Sequence, residues 1–250
     1  AIAILRCVLS SPAAAAAMLE KRADKRKTEI DPDESGSDEG FASQILDSSD
    51  DDETPDYIPT AALDDEAISL TESELRKLGG FLRTARNLYG PKYDAKLADT
   101  AEAVSELLRD GFSPIVFCRF IATAEYVAEH LQSMLAKTHS GIRVLSVTGG
   151  DGNHEQRKAK IDELQGEPVR VLVATDCLSE GVNLQERFNA VLHYDLPWNP
   201  NRLEQREGRV DRFGQEKDTV RAVLLFGADN PMDLVVLNVL IRKARTIRSR

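Results

Sequence analysis

The chain has 250 residues, 42% of them hydrophobic and 6% aromatic, and a formal net charge of −10. That composition supports a sizeable core, and no apolar run approaches the roughly 20 residues that a membrane-spanning helix needs. Cys7, Cys118 and Cys177 are odd in number, widely spaced and without a CxxC pair, which points away from a disulfide framework or a zinc site and towards a reducing, cytoplasmic setting, a bacterial cytosol being the expectation.

The charge is unevenly divided. Residues 1–70 carry 17 acidic and 6 basic side chains, a net of −11, and the other 180 residues come to +1. The larger part therefore has room for a local basic face. Residues 1–30 begin alanine-rich, lack a basic n-region and are interrupted by Arg6, which reads as a helical segment from a preceding region and not as a secretory leader. Residues 31–66 hold 14 acidic side chains and no Lys or Arg. Such a stretch cannot offset the chain entropy lost on folding, so a disordered, solvated insert is expected, with a DNA-mimicking or autoinhibitory arm as the second reading. Asp65-Glu66-Ala67 spells the start of a DEAD-type metal-binding motif, but the preceding Ile58–Leu63 is short and broken by Pro59, so no strand is there to carry it.

Residues 67–110 read as a helical lead-in. Thr71 and Glu74 are spaced as a capping box for an amphipathic stretch running to about Leu88. A second helix is expected over Tyr93–Leu108, with Leu97, Ala101, Val104 and Leu108 on one face. From 111 to 250 short apolar strands alternate with helices: strands at Pro114–Cys118, Ile142–Val147, Val169–Ala174, Ala190–Tyr194 and Val220–Phe226, and helices at Ala122–Leu135, His154–Leu164, Asn201–Arg212 and from Met232 onward. This alternation predicts an α/β lobe with a parallel sheet and helices on both faces.

In such sheets ligands gather beyond the carboxyl ends of the strands. Arg119-Phe120, Thr148–Gly152 and Thr175–Asn183 are the loops there. The densest feature is Asn201–Gln215, N-R-L-E-Q-R-E-G-R-V-D-R-F-G-Q. On a helix, Gln205, Arg209 and Arg212 share one face, with Arg202 and Arg206 in a neighbouring row. Two guanidiniums and an amide suit an anion whose charge is spread over several oxygens, such as a transferring phosphoryl group. Gly208 costs about 1 kcal/mol of helix propensity and implies a close approach by backbone or ligand. The same segment also fits a surface helix laced with pairs from Glu204, Glu207 and Asp211. Asp176 fits a turn cap, Trp198 packing against the sheet and Cys177 a small apolar filler. The four histidines, His130, His139, His154 and His193, have no metal-ligand spacing.

Together, Ile115–Phe120, Val171–Leu184 and Gln205–Gln215 resemble helicase motifs IV, V and VI of superfamily two. The last resembles Q-x-x-G-R-x-x-R-x-G-Q at every fixed position. Its Gly214-Gln215 ending is similar to Swi/Snf-type ATPases, and Ser179–Gln185 with Tyr194–Pro200 resemble the bacterial RapA-like branch. The resemblance covers roughly residues 112–226. It implies a RecA-like second motor lobe, with ATP and Mg2+ held mainly by a first lobe of the same polypeptide, and nucleic acid, most simply double-stranded DNA, as partner. It implies that Arg209 and Arg212 are arginine fingers and that Gln205 positions nucleotide and water. Glu180, Gly181, Asn183 and Gly208 would face the nucleotide or couple it to nucleic acid, while Arg119, Gly149, Gly150 and Thr175 would touch the phosphate backbone. No G-x-x-x-x-G-K-[ST] loop occurs in the 250 residues, so these residues alone are expected not to hydrolyse ATP. Two other readings stay open: a strand-separating helicase of a restriction or defence system, and a non-catalytic adaptor with a protein partner. The basic tail Arg242–Arg250 fits either a nucleic-acid grip or a helix that continues.

Overall fold

The computed structural model describes residues 2–28, 71–178, 183–197, 201–228, 230, 233–234, 237–238 and 241. The acidic stretch 31–66, the loop positions 179–182 with Glu180 and Gly181, Trp198 and the tail 242–250 lie outside the described residues.

Strands β1 (Pro114–Phe117), β2 (Arg143–Val147), β3 (Arg170–Ala174), β4 (Ala190–His193) and β5 (Arg221–Leu224) form one sheet in the order β2-β3-β1-β4-β5. Every pairing is parallel, with Val116 opposite Val173 on one side and Leu192 on the other. A parallel sheet covered on both faces requires strands without a polar side. β1 meets that requirement at all four positions, β4 at all but His193 and β3 at all but Arg170.

Successive side chains point to opposite faces, and two separate cores result. Val116, Cys118, Val171, Val173, Leu192 and Tyr194 enter the first, and Ile115, Phe117, Leu172, Ala174 and Val191 enter the second. The first core is closed by α4 (Ala95–Arg109) and α5 (Ile121–Leu135). The second is closed by α6 (His154–Asp162), by Cys177, Leu178, Leu184 and Phe188, and by Val210. Burying a single side chain such as Leu172 contributes about 1.5–3 kcal/mol.

α4 begins at Asp94, whose Oδ1 accepts from the Leu97 amide at 3.0 Å while its Oδ2 accepts from the Tyr126 hydroxyl at 3.0 Å. Leu97, Ala101 and Val104 are buried as the spacing predicts, but the stripe continues through Leu107, and Leu108 is only partly covered. A step of three in place of four keeps the stripe on a surface that a 3.6-residue helix otherwise drifts away from.

The amino-terminal residues pack on this lobe. α1 (Ile2–Ser10) is followed at once by α2 (Pro12–Thr28), where Pro12 occupies the first helical position and Ser11 Oγ accepts from the Ala14 amide at 3.0 Å. α3 (Glu72–Asn87) starts in the expected capping box, Thr71 Oγ1 accepting from the Glu74 amide and Glu74 Oε2 from the Thr71 amide. α2 and α3 meet through Ala15, Ala16, Leu82 and Ala85, small side chains that allow close helix packing.

Candidate functional site

The carboxyl ends of β1, β3 and β4 converge on two carboxylates that face opposite partners. Asp195, two residues past β4, is buried and accepts from the Arg119 amide at 2.8 Å, from Ser10 Oγ at 2.8 Å and from Lys96 Nζ at 2.8 Å. Lys96 Nζ also donates to the Ser10 carbonyl at 3.2 Å and stands 4.1 Å from the Tyr194 ring centroid. Burial raises the Asp195 carboxyl pKa, but the Lys96 ammonium and these hydrogen bonds outweigh it and hold the group below its ordinary value. The end of α1, the start of α4 and the loop after β1 are thereby fastened to one point.

Asp176, two residues past β3, is gripped by Arg206. The guanidinium donates from Nε at 2.7 Å and from Nη2 at 2.8 Å, a bidentate pair, and its Nη1 donates to the Asp195 carbonyl at 3.1 Å. Arg202 reaches the same carboxylate at 3.5 Å, and Arg209 lies within electrostatic range. Burial pushes the Asp176 carboxyl up, Arg206 draws it down with help from Arg202 and Arg209, and the net direction is down. One carboxylate thus faces three guanidiniums, with Arg206 by far the nearest. Below it, His193 Nε2 lies 3.2 Å from Glu207 Oε1. Burial lowers the His193 pKa more than Glu207 raises it, so the ring is neutral at pH 7.

The helix expected over Asn201–Arg212 is shorter. α7 spans Asn201–Glu207, and the chain then tightens, with the Arg209 and Val210 amides bonding the Arg206 and Glu207 carbonyls three residues back. Arg209 and Arg212 therefore lie past the regular helix, in a turn where the Asp211 amide still bonds the Glu207 carbonyl four residues back at 2.8 Å. Two features account for the ending. A Cβ on Gly208 would sit 3.0 Å from the Glu204 carbonyl oxygen, so the close approach at this glycine comes from the preceding helical turn. Gly214 has φ +96°, which a residue with a side chain rarely adopts. Gln215 then donates to the Val210 carbonyl at 2.9 Å and the Phe188 carbonyl at 3.0 Å, closing the 210–215 turn against the sheet. The Gly-Gln pair is thus a structural clasp. Gln205, Gly208 and Arg212 are exposed, and Arg209 is half-buried.

Of the other expected site positions, Asn183 is exposed and donates to Glu186 Oε1 at 2.9 Å. Arg119 is half-buried, its amide held by Asp195. Gly149 and Gly150 open a 3-10 turn, Gly149–Asp151, fastened by Thr148 and Asp151. Arg157, unremarked in the sequence, ties that loop to the one after β3 by donating to the Cys177 carbonyl at 2.9 Å and the Gly149 carbonyl at 3.4 Å. Thr175 is fully buried and its amide bonds the Val147 carbonyl, so it is a core position in this conformation. Asp176, Asp195 and Arg206 carry the architecture of the site, and the reading of Asp176 as a simple turn cap gives way to an ion pair across 30 residues of sequence. Only the i, i+4 spacing of Arg202 and Arg206 hinted at a shared target. Among the described residues no His, Cys, Asp and Glu cluster could hold a metal ion, and no helix is long and apolar enough to cross a membrane.

Residues 99–214 match the family described as helicase conserved C-terminal domain. Over this stretch the chain is similar to helicase C-terminal domains. The lobe is 41% identical over 104 residues to the uncharacterized ATP-dependent helicase YqhH of Bacillus subtilis (strain 168), covering 42% of this chain and 17% of that protein. It is 34% identical over 108 residues to the RNA polymerase-associated protein RapA of Pectobacterium carotovorum subsp. carotovorum (strain PC1), covering 42% of this chain and 10% of that one. The chain therefore spans a small fraction of the length of these relatives. The crystal structure of the C-terminal part of the Fun30 ATPase domain aligns with TM-score 0.49 at 20% identity, covering 69% of this chain and 55% of that one. The lobe is an α/β unit whose five-stranded parallel sheet carries packed side chains on both faces, with β5 at its exposed edge.

Proposed function

We propose that this chain is the second motor lobe of an ATP-dependent translocase or remodeller acting on double-stranded DNA in the bacterial cytosol. The carrying observation is the separation of duties along Arg202–Arg212. Arg206 is consumed by Asp176, whereas Arg209 and Arg212 stand on a clasped turn past the regular helix. The donor set fits a polyphosphate, since guanidiniums pair with oxyanions in a fixed fork.

ATP with Mg2+, held by a first lobe of the same polypeptide, supplies the phosphoanhydride whose cleavage drives such a motor. The residues of this lobe do the rest. Arg209 and Arg212 present fixed positive charge towards that lobe, a contribution worth roughly 10³–10⁵ in rate where arginine fingers have been removed. Gln205, exposed on the last turn of α7, orients the nucleotide and the attacking water. Glu180, Gly181, Asn183 and Gly208 are assigned to the nucleotide side, and Arg119, Gly149 and Gly150 to phosphate contacts on the nucleic acid. Thr175 joins those contacts only if the turn after β3 opens, because its hydroxyl is buried here. The hydrogen-bonded chain from the Arg119 amide through Asp195 and Arg206 to Asp176 connects the two sides.

The test is ATP hydrolysis by the full-length protein with and without duplex DNA, beside its Arg209→Ala and Arg212→Ala variants. Stimulation by duplex that is lost in both variants, with nucleotide binding retained, supports the reading. Unchanged rates would show that these arginines do not serve hydrolysis.

A further inference from the structure

Two of the groups that hold Asp195 come from outside the stretch matched to helicase C-terminal domains, residues 99–214. They are Ser10, the last residue of α1, and Lys96, in the first turn of α4. Ser10, Ser11, Thr123 and Asp195 are all buried, and the three hydroxyls form one line. Ser10 Oγ lies 2.8 Å from Thr123 Oγ1 and 2.8 Å from Asp195 Oδ2, and Ser11 Oγ lies 2.7 Å from Thr123 Oγ1. Simple chemistry fixes the direction of the protons. An ionised carboxylate only accepts, so Ser10 gives its single hydrogen to Asp195. Thr123 must then donate to Ser10, and Ser11, whose oxygen accepts from the Ala14 amide, donates to Thr123. The line runs from Ser11 through Thr123 and Ser10 to the charge, and each bond polarises the next. Lys96 completes the set. Its Nζ donates to the other carboxylate oxygen and to the Ser10 carbonyl, one of the acceptors that a helix end leaves without an intrahelical partner.

The inner end of this network reaches both sides of the site. Asp195 Oδ2 also accepts from the Arg119 amide, and the Asp195 main-chain carbonyl accepts from Arg206 Nη1. Docking α1 does not in itself call for such groups, because well-packed apolar side chains hold elements together as firmly as a buried ion pair does. What a saturated polar network adds is one fixed geometry. Here that geometry belongs to the carboxyl ends of β1 and β4, where ligands gather in parallel sheets. We infer that Ser10 and Lys96 are positioning residues of the motor: through Asp195 they set the loop that carries Arg119, and so tie the grip on nucleic acid to the docking of α1. The inference rests on the reading of the protein as an ATPase stimulated by nucleic acid, and not on the roles of Arg209 and Arg212.

The experiment follows ATP hydrolysis by the full-length protein against duplex DNA concentration, with denaturant unfolding in parallel. Ser11→Ala is the control, since it breaks the line before Thr123 and removes the α2 cap while the Ser10–Asp195 bond stays. It is expected to lower stability at least as far as Ser10→Ala does, yet to leave the half-stimulating DNA concentration within about twofold of the parent. Ser10→Ala is expected to raise that concentration about fivefold and Lys96→Met about tenfold, while the maximal rate falls by less than about twofold. A role in stability alone would instead lower the maximal rate with the active fraction and leave half-stimulation in place. Adding Ser10→Ala to Arg119→Ala should raise the half-stimulating concentration no further than Arg119→Ala alone, because both act on one loop. Equal half-stimulation in Ser10→Ala and Ser11→Ala, additive effects in the double variant, or no effect of Arg119→Ala overturns the inference and leaves the motor reading standing. A parent protein whose hydrolysis does not respond to nucleic acid overturns both.

Discussion

Arg206 and Arg212 belong to one short motif and carry the same guanidinium, yet their surroundings are opposite. Arg206 is 2% exposed and spends its donors on Asp176 and the Asp195 carbonyl. Arg212 is exposed, on a turn held by Gly214 and Gln215. The difference teaches that a run of arginines is not one binding face. The helix stops at Glu207. Arg202 and Arg206, before the stop, anchor the segment, while Arg209 and Arg212, after it, are presented on the turn.

The comparison breaks most visibly in activity. Arg212→Ala and Arg209→Ala in the full-length protein are expected to cut duplex-stimulated hydrolysis by roughly 10³-fold or more while leaving unfolding nearly unchanged. Arg206→Met should do the reverse in stability, losing about 3–5 kcal/mol in denaturant unfolding, because it leaves the Asp176 carboxylate largely buried without its main partner. Equal stability losses at 206 and 212 would erase the distinction between anchor and presented group.

Acid titration sharpens the same contrast. Asp176 is held below its ordinary value of 3.8 by Arg206 against the opposing effect of burial. Its contribution to stability is therefore full above pH 3.8 and is lost as the pH falls through the lower, folded value. Unfolding free energy followed downward from pH 5 should decline less steeply in Asp176→Asn than in the parent, and an identical slope would remove the ion pair from the account. The smallest effect is expected at the clasp. Gly214→Ala forces a side chain into φ +96° and should cost more than about 1 kcal/mol, with activity falling because the turn carrying Arg209 and Arg212 loosens. A neutral outcome in both would show that the clasp does not position the turn.

Much of the fold is legible in the sequence for local reasons. β1, β3 and β4 are apolar runs because both faces of a parallel sheet are buried, and the Thr71–Glu74 box marks a helix start because capping needs only residues three apart. The same locality explains the limits. Helical periodicity places Arg209 and Arg212 on the face of Gln205, since nothing in the spacing shows that a turn begins at Gly208. Thr175 reads as accessible in a loop and is buried, because its exposure depends on the second core closing over it. The ties of Asp195 to Ser10 and Lys96 join segments that sequence reading treats separately.

What the sequence determined by itself is the set of short-range instructions: strand and helix order, caps, and the ordered motifs that mark a helicase C-terminal lobe. What only the tertiary structure decided is which charged groups are partners. Asp176 and Arg206 are 30 residues apart, and Ser10 and Asp195 are 185 apart. The choice among the arginines depends on which one the converging strand ends bring to a largely buried carboxylate, where an unpaired charge costs several kcal/mol. That choice separates the buried, anchoring guanidinium of Arg206 from the exposed one of Arg212.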